Sequence, residues 1–293
     1  MAIAVRPRPG HAYLAGAPML VAHRGGGKLA PENTLPAFRS AVEDWGADML
    51  EMDVRLTADG VVVVIHDATV DRTTDGAGLV SEMTLEQLQS LDAGYHFTDL
   101  DGQASFRGRG VVIPTLEDVL EACPDVWLNV EAKEAAVAGP LVELLERRGE
   151  EHRVLVAAEL ERNRRSARGY PGPWGASRRD CLAFWFLHRL PGGRGYTPSV
   201  DIFQVPEYWK GRRVLTPRLI REAHLRNIPV QVWTVDDPAD MKRLLSWGVD
   251  GIQSDRPDLL SEVLVAEAGR PLPPILRRGG VAPVGKFQGS PTG

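Results

Sequence analysis

Short apolar runs alternate with segments of helical periodicity along most of the chain. Eight runs are brief, rich in β-branched residues and bounded by turn or helix signals, which is typical of buried parallel strands. They span residues 19–24, 48–54, 126–133, 153–159, 181–186, 201–207, 229–235 and 250–255. This alternation of strands with helices predicts an α/β fold, a (β/α)8 TIM barrel.

Helices are predicted where apolar residues recur every three or four positions next to a start or stop signal. Apolar faces of this kind follow Thr34, Pro140 and Thr216, and another ends at Gly248. An open Rossmann-like sheet is the alternative architecture, but no G-x-G-x-x-G motif follows a predicted strand. The barrel is therefore the favoured fold.

The second and third predicted strands are separated by residues 57–114, an interval too long for a βα loop. It opens with the hairpin signal Asp59-Gly60. Later in the interval, Thr84 is followed three residues on by Gln87, which indicates a capped helix. We expect these residues to form a small subdomain over one barrel mouth.

The ends of the chain differ from the barrel in composition. Of the 293 residues, we assign 17–265 to a single barrel domain and 1–16 to an N-terminal extension. Residues 269–293 are rich in Gly and Pro and contain no acidic residue. Such a composition buries too little apolar surface to offset the entropy of ordering, so a disordered tail is predicted.

Charge and composition narrow the class of protein. The net charge is −5. This argues against a nucleic-acid-binding protein, because such proteins have basic surfaces that replace the counterions of the phosphate backbone. Cys123 and Cys181 lack metal-like spacing, which argues against a disulfide framework and a cysteine-based zinc site. No window approaches the roughly 20 apolar residues of a membrane span, and no export signal is evident. We therefore predict a cytoplasmic protein without a membrane span that does not bind nucleic acid.

Ionisable residues gather at the carboxyl ends of three consecutive predicted strands, the edge of a barrel where active sites lie. They are His23 and Arg24 on the first strand, Glu51 and Asp53 on the second, and Glu131 and Lys133 on the third. Residues two apart on a strand point to the same side, so both members of the second and third pairs can project into the lumen.

Three converging carboxylates would repel one another unless a cation lay between them, and all-oxygen ligands favour Mg²⁺ or Ca²⁺. One divalent ion is therefore the predicted cofactor. The alternative is that the acids form structural salt bridges with Arg24, Arg55 and Lys133 across a barrel layer.

Two histidines end strand-like runs beside these acids. His23 and His66 could supply one base and one acid near neutral pH. Together with Arg24 and Lys133 as anion clamps, they suit chemistry at a phosphoryl group. The triple glycine at residues 25–27 is either a flexible loop or a close approach of backbone to phosphate.

Six segments carry a family pattern: HRGGGKLAPENTLPAF (23–38), GADMLEMDVRLTADGVVVVIHDATVDRTTDGAG (46–78), IPTLEDVL (113–120), LNVEAK (128–133), VQVWTV (230–235) and WGVDGIQSDRPDLL (247–260). In them the chain resembles the glycerophosphodiester phosphodiesterases. The resemblance implies a TIM barrel with a small subdomain inserted between the second strand and its helix. It also implies a small-molecule substrate, since the family cleaves glycerophosphodiesters to glycerol 3-phosphate and an alcohol.

The resemblance further implies a role for each clustered residue. The metal ligands are Glu51, Asp53 and Glu131, the acid and base are His23 and His66, and the phosphate-binding residues are Arg24 and Lys133. In the mechanism proposed for the family, the glycerol 2-hydroxyl attacks phosphorus to give a cyclic phosphate that water opens. By analogy, His23 is the base and His66 the acid toward the leaving alcohol.

The chain departs from the family at two strand ends. Residues 157–159 read Ala-Ala-Glu where Ser-Phe is common, and residues 254–255 read Ser-Asp in place of Thr-Asp. Trp233 matches an aromatic pocket wall of the family, although it could equally pack in the barrel core. Gln204 and Glu207, which close the sixth strand, are predicted contacts for substrate hydroxyls.

Two further functions remain open. A lysophospholipase D-like enzyme acting on lysophospholipids would need an apolar access path, which residues 183–188 and 170–174 could supply. A catalytically silent barrel that only binds phosphodiesters would tolerate the loss of an acid, base or ligand, and all seven expected residues are present. The headgroup alcohol and the oligomeric state, monomer or homodimer, are left undetermined.

Overall fold

A ring of parallel strands surrounded by helices forms the protein, so the predicted (β/α)8 barrel is confirmed. The computed structural model describes residues 5–11, 14, 16, 18–167, 169–190, 193 and 195–279. The strands are β1 (Met19–Ala22), β2 (Met49–Leu56), β3 (Val62–Val64), β4 (Trp127–Ala132), β5 (Val154–Ala157), β6 (Phe203–Pro206), β7 (Tyr208–Trp209), β8 (Arg212–Arg213), β9 (Val230–Trp233) and β10 (Gly251–Ser254). The parallel wall runs in the order β5-β4-β2-β1-β10-β9-β6.

A short extended segment closes the ring between β5 and β6. Trp174 pairs with Val156, and Gly175 pairs with Ile202, both in parallel. The Gly175 amide donates to the Val156 carbonyl at 3.0 Å, and the Ala176 amide donates to the Ile202 carbonyl at 3.0 Å. This segment takes the place in the wall that the sequence had assigned to residues 181–186.

The helices are α1 (Leu35–Glu43), α2 (Leu85–Gln89), α3 (Leu116–Ala122), α4 (Ala135–Arg148), α5 (Glu161–Ser166), α6 (Arg178–Leu187), α7 (Pro217–His224), α8 (Pro238–Ser246), α9 (Pro257–Ala268) and α10 (Pro274–Arg277). The predicted starts after Thr34 and Thr216 are confirmed. The start after Pro140 is wrong, because the alanine-rich stretch from Ala135 already favours helix. No helix in the described part of the chain is long and apolar enough to cross a membrane.

The strand predicted at residues 181–186 is wrong, because these residues lie within α6. The side chain of Ser177 accepts from the Asp180 amide, and the Asp180 carboxylate accepts from the Ser177 amide. This capping box starts a helix directly before the apolar run. An uninterrupted apolar run has no periodicity that separates strand from helix, so the cap was the deciding signal.

Residues 57–114 contain the predicted hairpin and capped helix. β3 pairs antiparallel with β2, and the turn between them has Gly60 at φ 81°. Thr84 and Gln87 form the expected capping box at the start of α2. The region packs an apolar cluster of its own, which consists of Val63, Ile65, Val70, Val80, Leu88, Ala93, Val111 and Ile113. This packing fixes the segment that carries His66 against the barrel mouth.

The segment predicted to be a disordered tail is ordered in its first part. Arg270 forms an ion pair with Asp48, its Nη2 donating to Oδ1 at 2.8 Å. The Ile275 amide donates to the Asp44 carbonyl at 3.0 Å at the start of α10. These contacts hold residues 269–279 on the barrel, which composition alone did not reveal. Residues 280–293 lie outside the described part.

A buried arginine ties α3 to the barrel wall. Nη1 of Arg153 donates to the carbonyls of Cys123 and Val126 at 2.8 and 3.0 Å, and Nη2 donates to the Leu120 carbonyl at 3.2 Å. The Glu150 carboxylate pairs with Nε at 2.5 Å. One side chain therefore donates hydrogen bonds to the backbone carbonyls at the carboxyl end of α3 and just before β4. Helix-terminal carbonyls have no partner within the helix, so they need such a donor.

We predict that Arg153→Met lowers the free energy of unfolding by about 3 kcal/mol, because it leaves buried carbonyls and a carboxylate without partners. Urea denaturation measures the effect. The matched control is Arg147→Met, whose side chain is 63% exposed, and which should change stability by less than about 0.5 kcal/mol. Equal effects of the two substitutions would contradict the assigned role.

Candidate active site

Three carboxylates converge at the carboxyl ends of β2 and β4. The parallel register places Asp53 opposite Glu131, and Glu51 lies two residues earlier on the same face of β2. Carboxylate oxygens of the three residues all lie within 4.8 Å of one another. Glu51 and Asp53 are buried. The arrangement is the one that the sequence predicted for a divalent metal site.

Two cations neutralise part of this charge. The Nζ of Lys133 lies 3.3 Å from Glu131 Oε1 and 3.4 Å from Asp53 Oδ1. The Nε of Arg24 lies 3.2 Å from Asp53 Oδ2. Two of the three structural salt bridges that the sequence offered as an alternative to a metal site are thus present, those of Arg24 and Lys133. Arg55, the third cation of that alternative, does not contact the acidic cluster in the described structure.

Asp255 holds the ring of His23. Nδ1 of His23 lies 2.7 Å from Asp255 Oδ1, and Nε2 lies 3.9 Å from Glu51 Oε2. Burial disfavours the charged ring, but the carboxylates of Glu51 and Asp255 outweigh it and raise the pKa of His23 to about 9. Asp255 directly follows β10 and was missed as a site residue. Its position at a strand end was the available signal.

The glycines after His23 are required by packing. Gly25 and Gly26 have φ of 82° and 91°, which favour glycine. A Cβ on Gly25 would lie 2.8 Å from the Ala37 side chain, and one on Gly26 would lie 2.8 Å from the Pro257 ring. The turn therefore lies directly against α1 and α9. A freely flexible loop, one of the two interpretations of the triple glycine, does not fit this close packing.

His66 follows β3 and reaches the site from the inserted region. Its Nδ1 lies 2.6 Å from Asp67 Oδ1. Its carbonyl accepts from Nε of Arg55 at 2.9 Å, while Nη1 of Arg55 pairs with Glu134 at 3.0 Å. Burial is the largest influence on His66, and its pKa is lowered. The two histidines therefore have pKa values shifted in opposite directions.

Glu32 and Asn33 support the cluster and were not singled out from the sequence. Glu32 accepts from Nη1 of Arg24 at 2.9 Å and from Nη1 of Arg72 at 2.9 Å, which joins the β1–α1 loop to the inserted region. Asn33 donates from Nδ2 to Asp53 Oδ2 at 3.1 Å. Both residues belong to the P-E-N-T segment, so a pattern was present without a role assigned to it.

Burial and charge explain the electrostatics of the acidic cluster. Burial, followed by the neighbouring charge of Asp53, raises the pKa of Glu51 to about 7. Burial likewise raises the pKa of Glu131. For Lys133, burial acts in the other direction, but Glu131 and Asp53 outweigh it and raise the pKa of the ammonium group. The cluster therefore strongly favours an additional positive charge.

One cavity of about 420 Å³ connects these residues. All seven predicted catalytic, metal and phosphate-binding residues line it: His23, Arg24, Glu51, Asp53, His66, Glu131 and Lys133. Gln204 lines it too and donates from Nε2 to Gln231 Oε1 at 3.0 Å. Trp233 is 39% exposed and lines the cavity, so it does not pack in the barrel core.

Glu207 pairs with an arginine instead of lining this cavity. Its two carboxylate oxygens pair with Nη1 and Nη2 of Arg243, both at 2.8 Å. Arg213 lies 3.5 Å from the same carboxylate. Glu207 lies two residues after Val205, which lines the cavity, so the strand alternation predicts the same side for both. Arg243 instead binds both carboxylate oxygens of Glu207 and holds them away from the cavity. Glu207 is thus not among the residues that line the cavity, and its contact with substrate hydroxyls stays a prediction.

The far wall of the cavity is apolar. Leu182, Trp185 and Phe186 of α6 line it, and Trp209 and Val214 continue it. Of the two segments expected to supply an apolar path, residues 183–188 contribute to this wall. Residues 170–174 do not line it.

Asn129 adds an unpartnered oxygen to the polar end. It lies beside Glu51 in the β2–β4 register and lines the cavity. Its Oδ1 is buried and has no hydrogen-bond partner among the described residues. A buried acceptor of this kind is costly unless a ligand, ion or water satisfies it. No role was predicted for Asn129, because an isolated Asn in a strand carries no pattern.

Comparison with known proteins agrees with this geometry. A model of the glycerophosphoryl diester phosphodiesterase family matches residues 23–162 and 192–259. A glycerophosphodiester phosphodiesterase of Caldanaerobacter subterraneus is 34% identical over 263 residues, covering 83% of this chain and 96% of that protein.

Two solved structures are similar in fold. The glycerophosphoryl diester phosphodiesterase domain of a Mycobacterium tuberculosis protein has 25% identity and a TM-score of 0.75, covering 86% of this chain and 100% of that one. A phosphodiesterase of Oleispira antarctica, in complex with the product sn-glycerol-3-phosphate, has 25% identity and a TM-score of 0.67, covering 85% and 97%. Motifs, barrel and matched relatives agree, and the chain belongs to the glycerophosphoryl diester phosphodiesterase family.

Proposed function

We propose that the protein hydrolyses glycerophosphodiesters to sn-glycerol 3-phosphate and an alcohol. The observation that carries the proposal is the convergence of two histidines, three carboxylates and two cations on one cavity. A phosphodiester needs charge neutralisation and a proton transfer at both the entering and the leaving oxygen, and this set supplies both. The product bound to the Oleispira antarctica relative supports the same substrate class.

Glu51, Asp53 and Glu131 would hold one divalent cation, Mg²⁺ or Ca²⁺. The fit rests on three carboxylates within 4.8 Å of one another, and on the unpartnered Oδ1 of Asn129 nearby. These are all oxygen donors, which hard cations prefer. When bound, such an ion supplies Lewis-acid stabilisation of the charge that develops on the phosphoryl oxygens.

The histidines would move the protons. Nδ1 of His23 is engaged by Asp255, which leaves Nε2 to take the proton of the glycerol 2-hydroxyl as that oxygen attacks phosphorus. His66 would give a proton to the leaving alcohol as its bond to phosphorus breaks. Water would then open the cyclic phosphate: His66 would take a proton from the attacking water, and His23 would return its proton to the glycerol 2-oxygen as the bond of that oxygen to phosphorus breaks. Because Glu51 helps to raise the pKa of His23, the base role requires that the carboxylate charge be compensated.

Arg24 and Lys133 would bind the phosphate. Both line the cavity, and both now pair with Asp53 through single contacts longer than 3 Å. A guanidinium and an ammonium group on two sides of the cluster can each turn donors toward phosphoryl oxygens. They would orient the diester and offset its negative charge.

We predict release of glycerol 3-phosphate from glycerophosphocholine and glycerophosphoethanolamine when Mg²⁺ or Ca²⁺ is present, and its loss in EDTA. His23→Asn and His66→Asn should each lower kcat by about 100-fold or more, because general acid–base catalysis contributes that much. An enzyme-coupled glycerol 3-phosphate assay measures both effects. The control is His152→Asn, an exposed histidine.

No product with any divalent metal would contradict the proposed reaction and favour a silent binding barrel. Full activity of His23→Asn in a clean preparation would leave the reaction standing but overturn the assigned mechanism.

Metal binding should also be visible without turnover. A saturating divalent cation at about 100 times its Kd stabilises by about 2.7 kcal/mol, so Tm should rise by roughly 5 °C. Glu51→Gln should abolish this rise, and its Tm without metal should not fall, because the amide removes repulsion with Asp53. Differential scanning fluorimetry measures both. The control is Glu143→Gln, which changes an exposed acid on α4 and should keep the full rise in Tm. A rise in Tm that Glu51→Gln retains would rule out this cluster as the metal site.

The apolar wall favours a second candidate function, hydrolysis of lysophospholipids. Leu182, Trp185 and Phe186 face the same cavity as the catalytic cluster. A simple glycerophosphodiester has no apolar group to place against them, whereas an acyl chain would bury them from water.

If lysophospholipids are substrates, Phe186→Ala should lower kcat/KM for lysophosphatidylcholine by about tenfold or more, since burial of a large apolar side chain contributes about 1.5 kcal/mol or more. The loss for glycerophosphocholine should be smaller. Turnover of both substrates by the variant and by Leu225→Ala, an exposed leucine on another surface, tests this. Equal losses for both substrates would argue against an acyl subsite.

A further inference from the structure

Exposed aromatic side chains concentrate at the mouth of the cavity. Among the described residues, the aromatic side chains that are large and exposed are Phe186, Tyr208, Trp209 and Trp233. Phe186, Trp209 and Trp233 line the cavity itself, and Tyr208 adjoins Trp209 on β7. Single exposed apolar residues are ordinary, but a group around one opening marks an interaction surface.

α6 and the β7–β8 hairpin form this rim, which we define as residues 178–190 and 208–213. Phe186 is 60% exposed and Tyr208 is 51% exposed. Leu182 and Leu190 are also exposed. Leu182 and Trp209 line one cavity, so the two segments border the same opening.

Basic residues accompany the aromatic ones. The hairpin contributes Lys210, Arg212 and Arg213, and the chain has no acidic residue from 208 to 221, although its net charge is −5. In the described structure neither Lys210 nor Arg212 has an acidic partner within ion-pair distance, whereas Arg213 lies 3.5 Å from Glu207. The Nζ of Lys210 lies 4.8 Å from the centre of the Trp209 ring. Positive charge is therefore concentrated on an otherwise acidic protein.

We propose that this rim docks the protein on an anionic lipid surface, with the cavity opening toward the bilayer. Trp and Tyr favour the membrane interface, where the ring is apolar and its polar group stays hydrated. Lys and Arg near the surface are attracted by anionic headgroups. The binding does not depend on which phosphodiester the enzyme cleaves.

A second copy of the chain fits this surface less well. A two-fold contact would bring the same basic hairpin of each copy together. Lys210, Arg212 and Arg213 would then face like charges, which disfavours association. An anionic surface instead complements all of them.

Vesicle co-sedimentation tests the proposal. We expect binding to phosphatidylcholine vesicles that contain phosphatidylglycerol, weak binding to phosphatidylcholine alone, and loss of binding at high salt. Lys210→Glu should lower the partition coefficient about tenfold, since each basic residue near the surface contributes measurably. Lys242→Glu is the matched control, since Lys242 is an exposed lysine on α8 that does not line the cavity.

Tryptophan fluorescence locates the contact. Brominated phosphatidylglycerol should quench the emission of the wild-type protein, and Trp209→Phe should lose much of that quenching. The Tm of Lys210→Glu should match that of the wild-type protein, which shows that the variant is folded. Its turnover of glycerophosphocholine should be unchanged, because Lys210 does not line the cavity.

Three results would overturn the proposal: no preference for phosphatidylglycerol, an equal loss in Lys242→Glu, or quenching unaffected by Trp209→Phe. A dimer in light scattering that Lys210→Glu alters, without vesicle binding, would assign the rim to self-association instead. Because binding is measured without substrate, an absence of glycerophosphodiesterase activity would leave the vesicle result unaffected.

Discussion

The close approach of three carboxylates is the constraint on which the rest of the site depends. The parallel register of β2 and β4 sets Asp53 beside Glu131, and the two-residue repeat of a strand sets Glu51 on the same face. Burial and mutual charge make this cluster costly, as the raised pKa of Glu51 shows. Lys133 and Arg24 offset part of that cost. Carboxylate oxygens this close together form a group that could hold a metal ion.

The two histidines reach this cluster by different routes. His23 follows β1 through a turn that lies so close to α1 that Gly25 leaves no room for a side chain. His66 arrives on the inserted region, which packs a core of its own and is linked to the barrel by Arg72 and Glu32. The spacing of His23 and His66 therefore depends on how firmly the inserted region is held. The Arg72–Glu32 pair joins this inserted region to the loop between β1 and α1.

The cavity combines two chemical environments because the wall of the barrel changes character on its far side. A short bridge at Trp174 and Gly175 replaces a full strand there, and α6 follows it closely. Its aromatic side chains then face the same cavity as the charged cluster. The polar half contains the residues to which we assign phosphodiester cleavage. The apolar half and its basic rim form the surface that we propose to dock on anionic lipid.

The sequence by itself determined the barrel, most of its strands and the seven polar residues that line the cavity. Strand periodicity and strand ends are local properties, and the two-residue repeat alone places Glu51 and Asp53 on one face. It could not settle elements whose identity depends on distant contacts. Residues 181–186 form a helix, since the cap at Ser177 outweighs an apolar run that suits either structure. Glu207 is held by Arg243, and Asp255 engages His23, across separations that only the closed barrel brings together. Local pattern specifies which residues can react, whereas the tertiary structure decides which partners they meet.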